Sequence, residues 1–64
     1  MLLSEKKIDT EMARQELTRI ELAKRADISR GRLTMILNVK NVQPATAGRI
    51  ARALGVDVTE ILAD

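Results

Sequence analysis

Apolar residues recur along this chain at spacings of three and four, and no segment alternates apolar and polar with a period of two, so the pattern predicts helices only. Ser4 starts a first helix whose inner face is Ile8 and Met12 and which ends near Glu16. Thr18 caps a second helix of about seven residues with Leu22, Ala23 and Ala26 inward. Asp27, which tolerates a left-handed backbone better than most residues, takes a tight turn. Ser29 then caps a third helix with Leu33, Ile36 and Leu37 as its buried stripe. At about 100° per residue the opposite direction belongs to Gly31 and Met35, flanked by Arg32, Thr34 and Asn38, with Arg30 at the tip. The segment "NVKNVQP" is a loop ending at Pro44, a good first residue for a fourth helix that buries Ala47, Ile50, Ala51 and Leu54 and stops at Gly55. Asp57 and Glu60 are spaced as a capping box for a last short helix carrying Val58, Ile61 and Leu62. The fold class is all-α, a compact bundle of four to five short helices spanning 1–64 as one domain.

At 64 residues the chain is too small for a deep substrate cleft. A single core of this size rarely supplies more than about 3–5 kcal/mol, so self-association would add useful stability. The sequence has no Cys and no His, which excludes disulfides, thiol nucleophiles, Cys/His zinc sites and imidazole acid–base chemistry. No enzyme activity, cofactor, metal or small-molecule substrate is expected. The opening "MLLSEKK" falls far short of the apolar run of a signal peptide or membrane span, so a cytoplasmic protein is expected, with no membrane partner.

The net charge of +2 says little until it is divided along the chain. Residues 1–16 carry Lys6, Lys7 and Arg14 against Glu5, Asp9, Glu11 and Glu16. Residues 17–43 carry Arg19, Lys24, Arg25, Arg30, Arg32 and Lys40 against only Glu21 and Asp27, a net +4. Residues 44–64 return to net −1. A basic block between acidic flanks is the asymmetry of a nucleic-acid footprint, although charge alone describes a solvated basic surface equally well. With no aromatic residue on which unstacked bases could stack, duplex DNA is favoured over RNA.

Two short helices joined by a three-residue turn, the second capped by Ser and polar outward, form a helix-turn-helix that places a recognition helix in the major groove. From about Ile8 to Leu62 the chain resembles the phage Cro/CI repressor family, lambda repressor-like and XRE-type. The resemblance is carried by "LTRIELAKRADISRGRLTMIL", by the Asn, Lys and Gln-Pro of the loop, and by "IARALGVDVTEIL". Four departures stand out. Arg19 replaces the usual Gln at the start of the second helix, and Asp27 the usual turn Gly. Met12 and Leu37 stand where the family often buries an Arg–Glu pair, an exchange of both partners that costs little. Val39 replaces a Gly; because a β-branched residue resists positive φ, the backbone after the third helix is expected to take a different path.

Carried over residue by residue, the resemblance implies Arg30, Gly31, Thr34 and Met35 as the surface facing the bases. Arg30 can fork onto guanine O6 and N7, Gly31 offers only close approach, and Met35 could meet a thymine methyl. Thr18, Arg19, Ser29, Arg32, Asn38, Lys40 and Gln43 are expected at phosphates, Thr34 reaching one as well, and the N–H groups of Thr18 and Arg19 present the positive end of the second helix. Val56, Val58, Ile61 and Leu62 exceed what one short helix must bury, so they are assigned either to a two-fold interface or to closing the core. A homodimer would set two recognition helices about 34 Å apart on a roughly palindromic operator. The resemblance implies a sequence-specific double-stranded DNA-binding repressor. The alternative is a protein-interaction module or antitoxin-like accessory protein on the same fold, which Gly31 and Val39 favour because each removes a usual DNA contact.

Overall fold

Ser4, Thr18 and Ser29 all hold an extended backbone, and each accepts at its hydroxyl oxygen the N–H three residues on, that of Lys7, Glu21 and Arg32. Each thereby satisfies one of the donors that a helix leaves open at its start. The computed structural model, which describes residues 1–63, has four α-helices: α1 Glu5–Gln15, α2 Arg19–Ala26, α3 Arg30–Val39 and α4 Pro44–Leu54, followed by a single 3₁₀ turn, Val58–Glu60. The architecture is the all-α bundle expected, with the helix-turn-helix in α2 and α3.

Three helices stop by the same device. Glu16, Asp27 and Gly55 take φ of 53°, 59° and 71° after α1, α2 and α4. The next residue then donates its N–H to the carbonyl five positions back: Leu17 to Met12 at 2.9 Å, Ile28 to Ala23 at 3.0 Å, Val56 to Ala51 at 3.1 Å. This is the Schellman arrangement, and its apolar partner, Leu17, Ile28 or Val56, packs against the core each time. α3 ends differently. Val39 stays helical and Lys40 takes the positive φ, 68°, donating to the Ile36 carbonyl at 2.8 Å. After α3 the residue held at positive φ is Lys40, not Val39.

The core is wholly aliphatic. Leu3, Ile8, Leu22, Leu33, Leu37, Ile50, Leu54 and Ile61 are fully enclosed, and Ala23, Ala26, Ala47, Ala51 and Ala53 let helices approach closely. α4 is the central element, packed against α2 and the 3₁₀ turn. Met12 and Leu37 are both buried, and no charged or polar side chain among the described residues is. Among the described residues the bundle closes without an internal ion pair.

The pattern did not anticipate the role of residues 1–3. They run extended between two other segments, Leu2 bridging Asn41 and Leu3 bridging Leu62. The Leu3 N–H donates to the Lys40 carbonyl at 2.7 Å, the Val42 N–H to Met1 at 2.8 Å, and the Ala63 N–H to Leu2 at 2.9 Å. Leu3 is buried by this clasp, which holds the loop after α3 against the end of the chain.

Two readings of the C-terminal stretch are corrected. Asp57 and Glu60 form no capping box: the Asp57 carboxylate accepts the N–H of Thr59 at 3.0 Å and also its hydroxyl, which tightens the turn to 3₁₀. Ile61 is fully enclosed, because it fills the core beneath the turn, and cannot form a dimer surface.

The backbone geometry gives opposite signs for two substitutions. Glu16→Gly relieves a left-handed L-residue and should stabilise by about 1 kcal/mol, whereas Gly55→Ala creates that strain and should destabilise by about as much. Urea unfolding followed by circular dichroism at 222 nm would measure both; a loss of stability in Glu16→Gly would contradict the assigned cap.

Candidate nucleic-acid interface

α3 begins where the Asp27 turn throws the chain off α2, and three of its residues, Leu33, Ile36 and Leu37, fix its inner side in the core. Everything else on it is exposed: Arg30, Gly31, Arg32, Thr34, Met35, Asn38 and Val39. Ser29 is exposed too, its oxygen capping the Arg32 N–H at 3.1 Å. Thr34 spends its hydroxyl proton on the Arg30 carbonyl one turn back, at 3.1 Å, so toward a ligand it keeps an acceptor and a methyl group. Arg30, Arg32 and Lys40 have no hydrogen-bond or ion-pair partner for their side chains among the described residues.

A groove lies between α3 and the following loop. Arg32, Met35 and Val39 form one wall, and Asn41, Gln43, Pro44 and Thr46 the other. Gln43 caps α4 through its backbone without using its side chain, and Pro44 has no N–H, so the amide of Gln43 and the first N–H groups of α4 face solvent beside Arg32. Arg49 is a residue that the charge blocks concealed, since it falls in the net-acidic last third of the sequence. It lines a second hollow with Arg32, between Ile28, Ile36, Thr46 and Ile50. Thr46 and Arg49, three apart on a helix opened by Pro44, are the signal that could have exposed it.

The start of α2 departs from expectation. The Arg19 guanidinium lies 3.4 Å from the Glu5 carboxylate and 3.7 Å from that of Asp9, so α1 already neutralises much of its charge. Nor is the Thr18 N–H open to an anion. It donates to Glu21 Oε1 at 2.9 Å while Thr18 Oγ1 accepts the Glu21 N–H at 3.2 Å, a full capping box. Both phosphate assignments at this helix end are therefore weakened by contacts within the fold, which leaves the N–H groups of Arg19 and Ile20. The basic surface narrows to Arg30, Arg32, Lys40 and Arg49, with Lys24 and Arg25 on the outer face of α2.

The C-terminal quartet is largely accounted for inside one molecule. Ile61 is enclosed, Val56 serves the Schellman cap of α4, and Val58 and Leu62 are half-buried against the core.

A family model for the helix-turn-helix matches residues 10–61, and the chain belongs to that family, in its lambda repressor-like Cro/CI branch. No curated protein and no solved structure matches it. The protein is thus a DNA-binding transcription regulator of the helix-turn-helix type. No helix among the described residues is long and apolar enough to cross a membrane.

The Thr18 and Glu21 pairing makes α2 sensitive to acid. Hydrogen bonds to the Glu21 carboxylate from the Thr18 backbone and hydroxyl hold it below its ordinary pKa. A depressed folded-state value contributes stability that is fully present above the unfolded glutamate value, about 4.3, and is lost as pH falls through the folded one. Asp57, lowered by the Thr59 hydroxyl and backbone, adds to the loss in the same direction. Thermal melts from pH 6 to pH 2 should show Glu21→Gln, which keeps an acceptor but cannot titrate, losing less stability than the parent chain; parallel curves would remove Glu21 from the account.

Proposed function

We propose that the protein is a repressor that binds a roughly palindromic operator as a homodimer, each copy laying α3 in the major groove. The carrying observation is the contrast among the arginines. Arg19 is paired with two carboxylates of α1, while Arg30 and Arg32, on the first turn of an exposed helix, have no side-chain partner among the described residues. An unpaired guanidinium at a helix tip matches guanine O6 and N7, a contact worth about 1–3 kcal/mol of discrimination. Arg32, Lys40, Asn38 and Gln43, joined by Arg49, surround α3 as phosphate contacts that fix its register. Gly31 lets the helix approach closely, and Met35 lines the groove between α3 and the following loop.

Dimerisation is supported by the small core, which rarely supplies more than about 3–5 kcal/mol alone, and would use the parts of Val56, Val58 and Leu62 that the core leaves exposed. Repression follows from occupancy of a promoter. A second reading, a protein-docking module, is favoured by the exposure of Met35 and Val39 on the same helix.

Selection from a random double-stranded DNA pool at about 0.15 M salt, followed by affinity measurement across salt, separates the two. An enriched palindrome with steeply salt-dependent affinity is expected. Arg30→Ala should weaken binding about 10- to 100-fold and relax the preference for guanine, and Arg32→Ala should lower the salt slope by about one. Unchanged affinity in the double variant would remove the DNA reading by this face. Sedimentation with a one-half-site and a two-half-site duplex tests the stoichiometry: a strict monomer on both sinks the dimer.

A further inference from the structure

Lys40 is the first residue beyond α3, and its backbone is held where few side chains go. Its φ is 68°, a region that L residues rarely adopt, and its side chain is exposed with no hydrogen-bond or ion-pair partner among the described residues. One bond joins it to the helix, from its N–H to the Ile36 carbonyl at 2.8 Å. Among the described residues, every other backbone hydrogen bond of Lys40, Asn41 and Val42 runs to Met1 or Leu3. The Leu3 N–H reaches the Lys40 carbonyl at 2.7 Å, the Val42 N–H the Met1 carbonyl at 2.8 Å, and the Met1 nitrogen the Val42 carbonyl at 2.7 Å. On their other side residues 1–3 are fixed in turn: Leu3 is enclosed in the core, Ser4 donates to the Ile61 carbonyl at 2.8 Å, and Ala63 to that of Leu2 at 2.9 Å. With Asn41 exposed and Val42 only partly buried, residues 1–3 are the loop's backbone anchor.

Such an anchor matters most to a cation. Lys40 follows Arg30 by ten residues, about 15 Å along the helix axis, and phosphate contacts set register only where the backbone carrying them is fixed. A lysine on a backbone free to leave positive φ would have to be ordered by the phosphate itself, and ordering a rotamer-rich side chain on binding subtracts from affinity. We propose that residues 1–3 are positioning residues for DNA binding: without touching DNA, they hold Lys40 at a phosphate beside the far end of α3. The inference rests on the DNA reading of α3. It adds to that surface a segment outside residues 10–61, the part of the chain that the helix-turn-helix family accounts for.

The test uses the whole chain, made by chemical synthesis so that the peptide bonds preceding Leu3 and Val42 are replaced by esters. Each ester deletes one N–H donor of the clasp and leaves every side chain in place. Affinity for the duplex that selection yields is then measured across salt, with and without Lys40→Met. In the all-amide chain Lys40→Met should weaken binding about fivefold at about 0.15 M salt and lower the salt slope by about one, the share of one phosphate contact. The ester chain with Lys40 in place should already show most of that loss, and adding Lys40→Met should then cost less than about twofold. A merely structural role would lower the melting temperature and leave the cost of Lys40→Met the same in both chains; that result overturns the proposal, as does parent-like affinity in the ester chain. Should the double ester lose its helical circular-dichroism signal, the single ester at Val42, which keeps the Leu3 donor, carries the same comparison. Either overturning result, with Arg30→Ala still weakening binding, leaves the DNA reading standing. Failure of selection to yield any duplex removes both.

Discussion

The left-handed turn at Asp27 is the constraint on which the rest depends. It stops α2, and the bond from the Ile28 N–H to the Ala23 carbonyl pins the next segment so that Ile28 packs on the core and Ser29 is free to cap α3. One residue at positive φ therefore sets the angle between the two motif helices. The same device at Glu16 and Gly55 closes α1 and α4. Helices this short cannot rely on intrinsic propensity, so their ends are determined locally, by a hydroxyl at the start of α1, α2 and α3 and Pro44 at the start of α4, and by an αL residue at each finish, with an apolar follower after α1, α2 and α4.

Within that frame the core is assembled from small aliphatic pieces. No aromatic residue is present, and burial is shared among eight fully enclosed Leu and Ile residues and a set of alanines. Met12 and Leu37 in place of a buried ion pair avoid the desolvation of two charges. The strain of Glu16, Asp27 and Lys40 at positive φ works against the same modest core. Three residues at the beginning of the sequence compensate in part. Their backbone links the loop after α3 to the end of the bundle, and so holds Lys40, Asn41 and Val42 beside α3.

Electrostatics sort the arginines by their neighbours. α1 presents Glu5 and Asp9 to Arg19, and Gln15 takes Arg25 at 3.3 Å, whereas the side chains of Arg30 and Arg32 have no hydrogen-bond or ion-pair partner among the described residues. A cation left unpaired at a helix N-terminus gains nothing from the helix dipole, so it is open to an external anion. Arg49 extends this surface across to α4.

The sequence by itself determined the helices, the hydroxyl caps of α1, α2 and α3, the Asp27 turn and most of the core, because caps and three-to-four spacing are local signals. It also marked the outward residues of α3, since a buried stripe of three defines its opposite face. What only the tertiary structure decided came from pairs distant in sequence. That Arg19 meets Glu5 and Asp9, that Leu3 is core, that Arg49 joins Arg32, and that Ile61 lies enclosed rather than at a surface all depend on how the helices cross. The left-handed caps at Glu16 and Lys40 were equally silent, because neither glutamate nor lysine advertises a left-handed backbone; packing on either side imposes it.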